Sequence, residues 1–157
     1  MRKLKVRAFG LSILVFIIAC NSKIQSTKIS EDFDAKDYIT LSRGKCRGGC
    51  SVYDITLRGD GKMELEAREN LDFIGSFTRQ MDRDEAAELF KILSASFDSF
   101  QDSYIPKVSD YPSTLTTIKI GNKEKVINGT YKAPAELTHI IKKLDGILKN
   151  DDWTLSN

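Results

Sequence analysis

Between Tyr38 and Ala67 the apolar residues fall at every second position. Ile39 and Leu41 alternate with Tyr38, Thr40 and Ser42; Tyr53, Ile55 and Leu57 alternate with Val52, Asp54, Thr56 and Arg58; Met63, Leu65 and Ala67 alternate with Lys62, Glu64, Glu66 and Arg68. Successive side chains on a strand point to opposite faces, so this period describes strands with one buried and one wet face, the pattern of an antiparallel sheet. Gly59, Asp60 and Gly61 join two of them as a short hairpin, and Phe73 to Gln80 read as a fourth, weaker strand.

After residue 80 the period becomes helical. Asp82 followed by Glu85 resembles a capping box, and at about 100° per residue Ala86, Leu89, Phe90, Leu93, Phe97 and Phe100 share an arc of about 100°. A helix lying on a sheet needs such a stripe, so packing explains these aromatics better than a ligand pocket does. Leu115 to Ile120 and Lys123 to Asn128 flank the two-residue turn Gly121-Asn122, a hairpin signal. Pro134 opens a second helix whose Leu137, Ile140, Ile141, Leu144, Ile147 and Leu148 again form one stripe. The predicted order is ββββαββα. It implies an α+β domain, an antiparallel sheet with two helices packed on one face.

Ahead of this domain lies an address. Arg2, Lys3, Lys5 and Arg7 precede an apolar run from Ala8 to Ala19, the layout of a secretory signal. Its 12 residues are too few to span a bilayer. Ile17-Ile18-Ala19-Cys20 resembles a bacterial lipobox, which makes Cys20 the expected lipidation site and new N-terminus. The two or three acyl chains (palmitate among them) that such a cysteine carries anchor a protein stably. Asn21 rather than aspartate follows the cysteine, which favours the outer membrane, facing the periplasm. The expected divisions are a signal peptide over 1–19, a lipidated cysteine and flexible tether over 20–37, one domain over 38–153 and a tail over 154–157.

Removing residues 1–19 takes away four positive charges and no negative ones, so 24 basic and 22 acidic residues become 20 and 22. The formal charge moves from +2 to −2, and nothing in the balance points to nucleic acid.

Chemistry is sparsely supplied. His139, the one histidine, points away from the apolar stripe of its helix, which leaves no histidine for a nucleophile or for a packed cleft. Zinc takes three or four protein ligands, and two cysteines with a remote histidine do not provide them. No carboxylate pair stands out, GKCRGG lacks the ending of a phosphate-binding loop, and Arg58-Gly59-Asp60 is explained by its turn rather than by adhesion. Neither a metal nor a cofactor is expected.

The remaining signal is Arg43 to Tyr53, RGKCRGGCSVY. In an oxidising compartment Cys46 and Cys50 pair, because lipidation of Cys20 leaves an even number. Gly48 and Gly49 supply the freedom that so short a ring requires. Two readings of the pair stand: a local staple, or a thiol-disulfide redox site, although redox dithiols usually have two intervening residues at a helix N-terminus rather than three ahead of a strand. Arg43, Lys45 and Arg47 crowd the same loop, either as a solvated surface or, with the glycine N–H groups and Tyr53, as a docking site for an anionic ligand or acidic partner.

These residues carry a resemblance. Arg43, Gly44, Cys46, Gly48, Cys50 and Tyr53, followed by the Gly59-Asp60-Gly61 turn, resemble the Arg-Gly-x-Cys-x-Gly-x-Cys-Pro-x-Tyr motif of an uncharacterised family of bacterial exported proteins and lipoproteins, a domain of unknown function. Ser51 stands where that motif has proline. The likeness runs from Tyr38 to Trp153 and implies no activity. The expected function is a lipid-anchored envelope module, non-catalytic, that binds an envelope protein or small ligand. The alternatives are an enzyme with its site on the open sheet face near Tyr53 and Asp54, or redox chemistry at Cys46 and Cys50.

Overall fold

The computed structural model describes residues 33–107, 113–150 and 152–156. The signal segment, Cys20 and most of the tether therefore lie outside the described residues. Four strands come first: β1 (Tyr38–Arg43), β2 (Val52–Arg58), β3 (Lys62–Glu69) and β4 (Gly75–Gln80), each antiparallel to the next. Helix α1 (Arg83–Ser96) runs into a 3₁₀ turn (Phe97–Ser99) and the short β5 (Ser103–Tyr104). The hairpin β6 (Thr114–Ile120) and β7 (Lys123–Gly129) follows, then α2 (Ala135–Ile147) and the short β8 (Thr154–Leu155). All eight strands form one sheet in the order β5-β7-β6-β1-β2-β3-β4-β8.

The expected ββββαββα arrangement, an antiparallel sheet with two helices packed on one face, is overturned by two further strands, one of them parallel to its neighbour, and by the non-helical part of the packing layer. β5 pairs with β7 in parallel, Ser103 opposite Asn128, and β8 extends the far edge by pairing with Phe77 and Thr78. Two-residue strands have no period to read. The first helix is also shorter than its stripe: α1 ends at Ser96, and Phe97 and Phe100 remain buried through the 3₁₀ turn instead. Phe33, Met81 and Trp153 add to the layer from outside the helices. Leu155 lies in the segment read from the sequence as a tail.

The inner face follows the parity of the sequence. Ile39, Leu41, Ile55, Leu57, Met63 and Leu65 are all at most 1% exposed, and Ala86, Phe90, Leu93, Leu137, Ile140 and Leu144 of the helices join the same cluster. Close packing of this kind supplies most of the stability of a small domain. The outer face is polar and self-paired. Thr40 and Thr56 share a hydrogen bond of 2.8 Å, Arg58 pairs with Glu64 at 2.9 Å, and Arg68 pairs with Asp54.

The helix start was legible only in part. Asp82 caps α1 by accepting from the N–H groups of Asp84 (2.9 Å) and Glu85 (3.1 Å). The Glu85 carboxylate pairs with Lys143 of α2 at 2.6 Å, tying the two helices together. Asp37, in the segment assigned to the tether, is buried and holds one end of the sheet. Its carboxylate accepts from the N–H groups of Gly121 (2.7 Å) and Asp34 (3.0 Å), and its carbonyl accepts from Gly59 N–H (2.9 Å).

Candidate functional site

At the opposite end of the sheet three side chains stand in a row across neighbouring strands. Arg43 closes β1, and the register places it directly opposite Tyr53 of β2 on one side and Thr114 of β6 on the other. Arg43 has the parity of Ile39 and Leu41, and Tyr53 that of Ile55 and Leu57, so both are aimed at the inner face rather than at water. Ala67, opposite Tyr53 on β3, is small, and the pairing of β2 with β3 is irregular between Val52 and Tyr53.

Asp145, in the last turns of α2, sits over this row. Its Oδ1 accepts from Arg43 Nε at 3.3 Å and its Oδ2 from Arg43 Nη2 at 2.5 Å, while Tyr53 Oη donates to Oδ1. Arg43 Nη1 donates to Thr114 Oγ1 at 2.7 Å. The two-pronged contact uses the fixed fork of a guanidinium, a geometry lysine lacks. The pair is mostly out of water, with side-chain exposures of 19% for Arg43 and 33% for Asp145. Burial works against the Arg43 charge, but the hydrogen bond and charge of Asp145 outweigh it and raise Arg43 above its ordinary value. For Tyr53, burial first and then the Asp145 hydrogen bond and charge push the phenol far above its ordinary value, against the opposing pull of Arg43. At neutral pH the row is one fixed cation and one fixed hydroxyl donor on a shared carboxylate.

This network floors a cleft of about 640 Å³. It is lined by Asn70, Leu71 and Phe73 after β3, by Leu148 and Lys149 just past α2, and by Cys50 and Ser51. Cys46 and Cys50 form a disulfide with Cα atoms 5.5 Å apart. Asn70, at a left-handed φ of 58°, clips that ring to the end of β3: its Nδ2 donates to Cys50 carbonyl at 3.0 Å, and its own carbonyl accepts from Ser51 Oγ at 2.8 Å. Lys45 pairs with Glu69 at 2.6 Å beside it.

The basic loop therefore separates into parts with different fates. Arg43 belongs to the buried network and not to a surface patch. Lys45 is exposed and ion-paired, and Arg47 is exposed on the rim of the ring. The N–H groups of Gly48 (3.4 Å) and Cys50 (3.2 Å) are directed at Cys46 Sγ, whereas an anion nest needs them pointing outward. Gly49 adopts a φ of +74°, and a Cβ on Gly44 would lie 1.9 Å from Ser113 Oγ, so the chain leaves β1 against the start of β6. Tyr53 and Asp54 do not form a common site on the open face: Tyr53 is 3% exposed and turned inward, while Asp54 pairs with Arg68 on the outer side. His139 is exposed on α2.

Asp145 is the residue that sequence reading missed. At about 100° per residue it lies roughly 40° from Ile141, on the border of the apolar stripe. A carboxylate there, facing a sheet whose inner parity includes an arginine, is a readable signal.

Among the described residues no group of three or more His, Cys, Asp or Glu is placed to hold a metal ion, and no helix is long and apolar enough to cross a membrane. The fold and cleft define a single-sheet domain with a preformed polar floor at one end. The chain belongs to a family known as a domain of unknown function, DUF6438, whose model matches residues 37–148. The matched span begins at the buried Asp37 and ends at Leu148, short of Trp153, to which the sequence resemblance extended. No match to the chain was found among curated proteins.

Proposed function

We propose that the protein is a lipid-anchored module of the bacterial envelope that binds a small ligand or a segment of an envelope protein in the cleft over Arg43, Tyr53 and Asp145, without transforming it. The observation that carries this reading is the state of that floor. Its three polar groups converge, yet they satisfy one another, with the tyrosine phenol held protonated beside a charged arginine and both hydrogen-bonded to one carboxylate. Preformed polar groups flanked by Leu71, Phe73 and Leu148 suit recognition. The anchoring half of the reading rests on Cys20 and the charged, apolar segment before it. Cys46 and Cys50 serve as a staple for the cleft wall, since their ring lies between two strands and not at the start of a helix.

Affinity capture of the full lipidated chain from membranes tests the binding half. A bound species retained by the wild type and lost on reversing the rim charges with Asp72→Lys and Lys149→Glu supports the reading. Retention unchanged by the double reversal contradicts it.

A further inference from the structure

Arg43 borders a second cleft on its Thr114 side, distinct from the one under Asp145, with a volume of about 430 Å³. Its lining comes from Tyr104, the last residue of β5, with Ile105 and Pro106 after it, and from Asn128 to Lys132 at and beyond the end of β7. The two segments are locked together: Tyr131 N–H donates to Tyr104 carbonyl at 2.7 Å, and Asn128 N–H to Asp102 carbonyl at 2.9 Å. Gly129 has a φ of +80°, and a Cβ there would lie 2.4 Å from Tyr104 carbonyl oxygen, so no side chain intervenes at that approach.

Three features mark this cleft. Ile105 and Tyr131 keep 50% and 43% of their surface in water although both are large and apolar. Lys132 holds a left-handed φ of 55°, a conformation that side chains other than glycine seldom adopt and that tends to accompany ligand sites. Its ammonium is poised 5.3 Å from the Tyr131 ring centroid and has no ion-pair partner among the described residues. The described lining residues include two cations, Arg43 and Lys132, and no carboxylate. Arg43 is already matched by Asp145, which leaves Lys132 to meet an incoming charge.

We propose that this second cleft is a binding site for a small carboxylate with a planar or apolar body, the body lying against Ile105 and Tyr131 and the carboxylate on Lys132. The volume suits a small molecule, and the pairing of an apolar surface with one placed charge is the usual composition of such sites. The site does not depend on what the first cleft binds.

The test is an NMR titration of the ¹⁵N-labelled full chain in detergent, with indole-3-acetate and, as its cationic counterpart, tryptamine. Saturable shifts of the Gly129 to Lys132 amides are expected with indole-3-acetate and not with tryptamine. Lys132→Gly keeps the left-handed backbone and removes the ammonium, so it should fold at least as well and bind roughly tenfold more weakly or worse, the loss of one charge-assisted hydrogen bond. Lys132→Asn, which also tolerates that backbone, should behave alike. No saturable shift, equal shifts from tryptamine, or unchanged affinity in both variants would overturn the proposal. Shifts confined to residues 70–73 and 148–149 would overturn it too, while leaving the first cleft as the ligand site.

Discussion

Arg43 and Asp145 lie 102 positions apart in sequence and meet through two hydrogen bonds, Nε to Oδ1 at 3.3 Å and Nη2 to Oδ2 at 2.5 Å. The contact fastens the end of α2 to the central strand of the sheet and sets the floor of the cleft. Removing one partner leaves the other as a half-buried charge, which is costlier than the intact pair is stabilising. Asp145→Ala should therefore destabilise the domain by about 1 to 3 kcal/mol, the range for an unsatisfied polar group, measured by urea unfolding. A change below about 0.5 kcal/mol would mean that Arg43 finds water instead.

Tyr53 makes the alkaline limb of the stability curve informative. Its folded phenol is raised, by burial and then by Asp145, above the unfolded value of about 10. The folded state therefore holds the proton longer than the unfolded state, so this contribution is full below about pH 10 and is lost as pH rises from there toward the folded value. Between about pH 10 and 12 the wild type should lose stability more steeply than Tyr53→Phe. Parallel curves for the two proteins would show that the phenol is not held by Asp145.

Two basic residues of the loop, Lys45 and Arg43, should separate under substitution. Lys45→Gln removes an exposed ion pair and should change stability by less than about 0.5 kcal/mol. Arg43→Gln breaks the network and should cost about as much as Asp145→Ala, with the double variant well short of the sum because the two share one interaction. Additive losses would argue against direct coupling.

Much of this arrangement is legible in the sequence, but the neighbours that decide the role of Arg43 lie far from it in the chain. Period-2 alternation located β1 to β3, and the glycine turns located both hairpins, because half-buried strands and tight turns leave local signatures. The strand parity that places Ile39 and Leu41 inside also places Arg43 inside. Reading Arg43 with Lys45 and Arg47, its neighbours in the chain, made it a surface charge. Asp145 was passed over because a stripe is read for its apolar members and not for the polar residue at its border. β5 and β8 leave no signal in two residues each, since their formation depends on the edges already present. Glu85 shows the limit of local motifs: the spacing of a capping box was there, and Lys143 of the other helix took the carboxylate.

The disulfide ring gives a further prediction. Closing five residues restricts the unfolded chain by an amount worth about 2 kcal/mol, so Cys46→Ser with Cys50→Ser should lose that much or somewhat less while keeping its secondary structure. A redox pair would instead show little loss of stability and ready exchange with a dithiol.

The address is tested at its one critical atom. Cys20→Ala should move the protein out of the membrane fraction, and mass spectrometry of the wild type should find acyl chains on Cys20. An unmodified N-terminus downstream of Cys20 contradicts the anchor.

The most direct test of the cleft as the working surface is site-specific photocrosslinking in intact membranes. With the photoreactive residue at Asp72, on the cleft rim, the account predicts a discrete crosslinked species that disappears on Lys149→Glu; with the same residue at Thr56, on the outer sheet face, it predicts none. Crosslinks from Thr56 and none from Asp72 would contradict the account.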